Sequence, residues 1–398
     1  MVHKIIIYFL SFIVILEIIL YLLVNNLKGD FKWLLTKSDE FPKFDSKKLK
    51  NFFKNSFDPI LGWDRKKNTK GSESSNNKTY FKISKYGFRG KKKYKKKDFI
   101  SVFGDSFAFC RYVNDDETWE SFLQNYIQSN VLNFGVGNYG LDQSYLKYLK
   151  YKKKISSKIV IFNFVPETIA RINSIWKHYR EFGNIHAFKP LLQVKENKLN
   201  LIKIKLNKNF SENQIYKAIK NIKNKDIFYN QKFKKNLFKF PYSLTLLKNL
   251  GLYSEVLLNL IFYKMTKNKN YYNSASSAVL KQNIVESHLM YSNHFFTKKL
   301  QDLIFFMNKK FSLENKRMII IVSPQLLDLK SNASDNYIKF YENLSKKIYC
   351  CDLTKYFKRN YNYEKFFLKD IYGGHLNKNG NKFVAHKIFN YLKKNKLL

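Results

Sequence analysis

Phe99-Ile-Ser-Val-Phe-Gly-Asp-Ser-Phe107 is the stretch from which the rest of the chain is read. Phe99 to Phe103 is a short apolar run with the length and composition of a buried strand. It breaks at Gly104-Asp105-Ser106, and an amphipathic helical segment holding Thr118, Trp119 and Phe122 runs on to about Tyr126. A strand that stops at a small residue and hands over to a helix leaves its last side chain, here Ser106, at the carboxyl edge of a sheet. Open α/β sheets hold their sites at that edge. The pattern then repeats. Val131-Leu-Asn-Phe-Gly-Val-Gly137-Asn-Tyr-Gly140 reads as a strand ending in a glycine-rich turn, before a helix from Asp142 to about Lys152. A strand from Lys158 to Phe164 ends at Val165-Pro-Glu-Thr168. Later strands at Arg317 to Ser323 and Ile348 to Cys351, with helices near 285–309, 335–346 and 382–394, complete an alternation that predicts an α/β fold with a short parallel sheet.

A serine hydroxyl is a poor nucleophile at neutral pH unless a base takes its proton, and the base needs a carboxylate to hold its ring. Asp370-Ile-Tyr-Gly-Gly-His375-Leu-Asn377, followed by Gly380, offers both residue types near the C-terminus. His375 is the candidate base and Asp370 the candidate orienting carboxylate, with Asp352 as the alternative.

The Gly-Asp-Ser block and the distant His-Leu-Asn block together resemble those of the SGNH, or GDSL-type, hydrolases. Two lead-in segments, Asp58-Pro-Ile-Leu-Gly-Trp63 and Lys85-Tyr-Gly-Phe-Arg-Gly90, resemble those of envelope-anchored members. By themselves they also read as turns at Gly62, Gly87 and Gly90, with Trp63 and Phe88 as packing anchors. The resemblance implies a three-layer, flavodoxin-like α/β domain with Ser106 as nucleophile. It also implies an oxyanion hole built from the N–H of Gly137 or Asn138 and from a side-chain amide, for which Asn163 is nearest. The chain departs from the family pattern in two places. The family's Asn-Asp is absent, and Glu167 stands near its register, where a carboxylate repels an oxyanion unless protonated or turned away. Asp370 precedes His375 by five residues rather than three. The activity implied is ester hydrolysis or acyl transfer on O-acyl groups, O-acetyl above all, of an envelope or secreted polysaccharide. A lipid esterase and a degenerate domain that only binds glycan are the competing readings. No metal or organic cofactor is implied.

The chain has 398 residues, 45% of them hydrophobic, enough for one large core or two modest ones and too apolar for a disordered protein. Its net charge of +43 comes from lysine, because arginine stands only at positions 65, 89, 111, 171, 180, 317 and 359. Sites that read nucleic-acid sequence favour arginine forks, so nucleic acid is not expected as a partner. Anionic glycans or lipid headgroups suit diffuse lysine charge better. Cys110, Cys350 and Cys351 are sparse and odd in number, with no metal spacing, and Cys110 reads as a small buried residue. Nothing in the sequence sets an oligomeric state.

Ile5 to Val24 is interrupted only by Ser11 and Glu17 and is long enough to span a bilayer as a helix. It reads as an uncleaved signal anchor, or alternatively as a buried N-terminal helix. Lys28, Lys32 and Lys37 after it outnumber His3 and Lys4 before it, which places the following domain in the cytoplasm. The resemblance implies the periplasm or cell exterior instead. The division expected is an anchor at 1–25, an extension packing on the core at 26–98, a first core half at 99–190, a helical or irregular insertion at 191–284 and a second core half at 285–398. Residues 171–190 mix aromatic rings with both signs of charge, which suits a carbohydrate surface or a lid, with His178 and His186 as packing or surface histidines. Leu244 to Met265 has helical apolar spacing, and reads as a lid helix or a contact with the membrane surface.

Overall fold

A computed structural model describes residues 2–27, 42, 44–75, 77–95, 98–181, 185–204 and 211–398. Lys28, Lys32, Lys37, Lys96 and Lys97 lie outside the described residues. In chain order the elements that matter here begin with helix α1 (Val2–Leu27). Strand β1 (Asp98–Gly104), the single-turn helix α2 (Ser106–Phe109) and helix α3 (Trp119–Ile127) follow. Then come β2 (Asn130–Asn133), α4 (Leu141–Tyr151), β3 (Ile159–Phe164) and α5 (Thr168–Arg171). Helices α6 (Tyr242–Lys248) and α7 (Leu250–Thr266) precede α8 (His294–Leu313), β4 (Arg317–Val322) and α9 (Leu326–Lys330). Strand β5 (Cys350–Asp352) and helix α10 (Lys378–Lys394) close the series. The described chain forms two units, one from residues up to 49, 174–188 and 210–283, the other from 50–173, 189–209 and 284–398.

The second unit is built on a five-stranded sheet of order β5-β4-β3-β1-β2, with every pairing parallel. Parallel strands need crossovers, and the intervening helices supply them. The register aligns Ile319, Ile161 and Val102 across three strands. These side chains join Phe107, Trp119, Leu123, Val384, Ala385 and Ile388 in one buried cluster with α2, α3 and α10. Phe103 and Phe162 alternate with them and so point to the opposite face. There Phe162 meets Tyr145 of α4 and Phe311 of α8, at ring-centre distances of 6.4 and 5.7 Å.

The helix expected to run unbroken from Ser106 to Tyr126 is in fact divided. Cys110 and Tyr112 take left-handed backbone angles (φ 58° and 65°), which end α2 after one turn. Thr118 then caps α3 by accepting from the Ser121 N–H at 3.1 Å. A hairpin of Thr69–Ser74 with Lys78–Ile83 stands in the segment expected as an extension at 26–98.

In the other unit, α1 carries an 18-residue window of mean hydropathy 2.8 and is long and apolar enough to cross a membrane. The aromatic and charged stretch expected to face a carbohydrate is turned inward here. Trp176, His178, Tyr179 and Arg180 are all buried, and Trp176 stacks on Phe188 while Tyr179 packs on Tyr229 and Phe233. Burial removes these rings from any sugar face.

Candidate active site

The turn after β1 is shaped by a close approach between strands. Gly104 sits at φ 156°, and a Cβ there would stand 1.7 Å from the Asn163 carbonyl oxygen of β3. Only glycine fits, and the chain then turns into α2 with Asp105 as its cap. The Asp105 carboxylate accepts from the Phe107 N–H (2.8 Å) and the Val165 N–H (2.9 Å), tying the ends of β1 and β3 together. Ser106, the first residue of α2, is 9% exposed.

His375 reaches Ser106 from a loop 269 residues further on. Its Nε2 lies 2.9 Å from Ser106 Oγ, and its Nδ1 lies 2.9 Å from Asp370 Oδ2. Asp370 also accepts from the backbone N–H groups of His375 and Tyr372, each at 2.7 Å. The five-residue spacing works because Gly373 and Gly374 both take positive φ (100° and 86°), curling Ile371-Tyr-Gly-Gly back so that His375 meets the carboxylate before it. With Nδ1–H donating to Asp370, Nε2 is left as an acceptor for the Ser106 hydroxyl. Burial pushes the Asp370 carboxyl up, but the hydrogen bonds and charge of His375 outweigh it and hold the group below its ordinary value. The His375 ring is fixed by stacking on Phe107 and by the edge of Tyr112, with ring centres 5.2 and 5.5 Å away. Beyond His375, Leu376 is buried in the core and Asn377 caps α10 through the Gly380 N–H at 3.0 Å.

The alternative carboxylate, Asp352, is engaged elsewhere. It accepts from the Thr354 N–H and hydroxyl, and burial pushes it up to about 6. Asn163 is not brought to the hydroxyl as an oxyanion donor. It is fully buried inside β3, and its amide nitrogen donates to Ser323 Oγ at 2.7 Å, so the expectation for this residue is corrected. The Gly137 peptide is held from its other side. Its carbonyl accepts from Trp63 Nε1 at 3.1 Å, which fixes the peptide, while its N–H and that of Ser106 have no acceptor among the described residues. Tyr139 donates its hydroxyl to the Trp63 carbonyl, and Gln143 Nε2 donates to Leu61 O at 2.7 Å. The Asp58 to Trp63 segment therefore braces the Gly137 turn. Asn138 beside it is exposed at φ 66°.

Two arginines matter here that sequence reasoning did not assign. Arg171 of α5 donates to Asp105 (2.9 Å) and the Tyr139 carbonyl (3.1 Å) through Nη1, and to Glu167 through Nη2 (2.7 Å) and Nε (3.2 Å). This fork turns Glu167 away and neutralises the repulsion its position suggested. Arg89 donates to the carbonyls of Phe109 and Cys110 at 2.6 and 2.8 Å and to Asp115 at 2.8 Å, holding the irregular chain after α2. Both belong to a set of seven arginines among 73 basic residues. In so lysine-rich a chain, arginine marks positions where a fork is needed, and that was the available signal.

A second Ser-His-Asp group, in which His288 contacts Asp328 (2.8 Å) and Ser331 (2.9 Å), is closed to substrate because His288 and Asp328 are fully buried. It anchors α9, whose Leu327 N–H donates to the Gly373 carbonyl at 3.1 Å. The three cysteines are free and buried, and burial pushes the Cys351 thiol up to about 12. Among the described residues no cluster of His, Cys, Asp and Glu is arranged to hold a metal.

No family model matches the chain, and no curated protein does. Among solved structures it is similar to one described as a "putative lipolytic protein of G-D-S-L family" from Desulfitobacterium hafniense DCB-2. The identity is 12%, the match covers 74% of this chain and 98% of the other, and the TM-score is 0.34.

Proposed function

We propose that this chain is a membrane-tethered serine esterase or O-acyltransferase of SGNH type, with a three-layer α/β domain. The observation that carries the reading is the unbroken hydrogen-bonded path from Ser106 Oγ through the His375 ring to Asp370. Ser106 attacks the acyl carbonyl while His375 Nε2 takes its proton, and His375 returns that proton to the departing alcohol oxygen. Water or a sugar hydroxyl, deprotonated in turn by His375, then releases the acyl group from Ser106. Asp370 holds the ring and stabilises the imidazolium formed in each half. The Ser106 and Gly137 N–H groups are the oxyanion donors of this reading, which replaces the missing side-chain amide with backbone alone.

The substrate we propose is an O-acyl, in particular O-acetyl, ester of an envelope or secreted polysaccharide on the periplasmic or outer side of the membrane. Support comes from the tether and from a lysine-derived charge of +43, which favours esters carried on anionic glycans. A reporter fused after Leu398 tests the side.

The test of the chemistry is covalent labelling of the detergent-solubilised full chain with a fluorophosphonate, which reacts with a serine already activated by its base. Labelling of the wild type that vanishes in Ser106→Ala and His375→Ala supports the reading, and hydrolysis of acetylated glycan but not micellar lipid supports the substrate. A folded wild type that never labels overturns the enzyme reading in favour of a glycan-binding domain.

A further inference from the structure

Helix α1 is bare over its first half and partly covered over its second. Ile5 to Leu10 and Phe12 are all exposed, whereas Leu20, Val24 and Leu27 are buried and line one stripe at helical spacing. Within that second half stands Glu17, the single charged residue between Ile5 and Val24. Its carboxylate accepts from the backbone N–H groups of Tyr242 (2.7 Å) and Ser243 (2.8 Å) and from the Ser243 hydroxyl, which begin α6. Further along, Lys264 of α7 donates to the Asn26 carbonyl at 2.6 Å. At 1.5 Å per residue, Glu17 lies about 10 Å from Val24 toward the middle of the span.

Polar groups placed at that depth need partners from the protein, because hydrocarbon offers none. The first N–H groups of a helix have no acceptor within it, and an ionisable residue in a membrane span requires a partner of its own. Glu17 and the start of α6 satisfy each other. Helices α6 and α7 and the residues beside them carry exposed apolar side chains of their own. Phe240, Leu244, Leu247, Leu250, Leu258, Phe262 and Met265 are exposed, although Tyr253, Val256, Leu257 and Leu260 already fill the inner side. A helix apolar on both sides belongs in an apolar medium. Lys248 and Glu255 fit a shallow insertion, where their side chains reach the headgroups, better than a second crossing.

We propose that α6 and α7 are embedded in the membrane leaflet that surrounds the C-terminal half of α1. They dock on α1 through Glu17 and present Leu247, Phe262 and Met265 to lipid acyl chains. The proposal rests on reading α1 as a membrane span, and is independent of the esterase chemistry.

The test uses the full chain in lipid nanodiscs, spin-labelled at single cysteines replacing Leu247, Phe262 or Met265. Ile7→Cys serves as the lipid reference and Tyr361→Cys as the water reference. Unlabelled background is read from the wild type, whose own cysteines are buried. Collisions with oxygen and with a water-soluble nickel chelate are compared. Nickel collisions about fivefold or more below those at Tyr361, with oxygen collisions matching Ile7, are expected, since water is depleted in hydrocarbon. Values matching Tyr361 while Ile7 stays lipid-like place the segment in water and overturn the proposal. Shielding from both reagents means that protein covers the face, and also overturns it. A water-like Ile7 removes the premise about α1 and is distinguishable from the other outcomes. Glu17→Leu is expected to raise nickel collisions at Leu247→Cys severalfold without moving Ile7→Cys, and Glu17→Gln to raise them less. No change in Glu17→Leu overturns the docking role of Glu17.

Discussion

Replacing Arg171 with methionine is expected to unsettle the turn that carries Ser106. The arginine, Asp105 and Glu167 side chains are 6%, 0% and 3% exposed, so the fork is shielded from water. Methionine keeps much of the volume but removes the cation that two buried carboxylates share. Removing one partner of a buried ion pair costs about 3–5 kcal/mol. At about 2–4 °C per kcal/mol for a unit of this size, the melting temperature should fall by roughly 6–20 °C. The loss should depend on pH. Burial already pushes the Asp105 carboxyl above its ordinary value against the pull of Arg171. Without the arginine, the folded-state value of Asp105 rises further above its unfolded one. A raised acid costs stability as pH climbs from its unfolded toward its folded value, so the deficit of Arg171→Met should be largest near pH 8 and shrink toward pH 4. Thermal unfolding of the full chain in detergent, followed by tryptophan fluorescence, to which the fully buried Trp119 contributes, reads the effect. Arg171→Met with Glu167→Gln should recover part of the loss, because one of the two buried negative charges is gone. A fall below about 3 °C, about 1 kcal/mol on the same scale, or a deficit that does not change with pH, would refute the reasoning.

Asp370→Asn should slow fluorophosphonate labelling by about 10³–10⁴-fold while the protein stays folded, because the ring loses its orienting charge; labelling within tenfold of wild type would count against Asp370. Trp63→Phe keeps the ring beside Tyr139 but removes the hydrogen bond to the Gly137 carbonyl. A cost of about 0.5–1.5 kcal/mol is expected from that bond, with slower turnover at unchanged labelling stoichiometry. Glu120 is buried, which pushes it from 4.5 to about 8. The folded state thus holds a proton that the unfolded state releases, and wild-type stability should decline between about pH 4.5 and 8 relative to Glu120→Gln. Parallel melting curves across that range would contradict it. The buried thiols should resist maleimide in the native protein and react on denaturation; modification of the native chain at pH 7 would contradict their burial.

Much of the second unit was legible because its signals are local. Apolar runs ending at turn-forming residues marked β1 to β4, and the chemistry of a serine hydroxyl directed attention to His375 and to a carboxylate beside it. The Asp370 spacing looked irregular only until the two left-handed glycines were seen, since sequence does not state how tightly a loop curls. The helix break at Cys110 was missed for a related reason. Its left-handed backbone is imposed by distant carbonyl contacts to Arg89 rather than by a local glycine or proline.

Other features were decided by tertiary structure alone. Which way Asn163 points depends on Ser323, 160 residues away in sequence. Whether Glu167 repels a negative charge depends on Arg171, and whether Trp176 and Tyr179 meet a ligand depends on Phe188, Tyr229 and Phe233 packing over them. The apolar run of α1 was plain from composition, but the partner of Glu17 lies 225 residues beyond it. Periodicity and turn chemistry are properties of neighbouring residues and survive in the linear chain. The direction and pairing of a polar side chain depend on residues that only folding brings near.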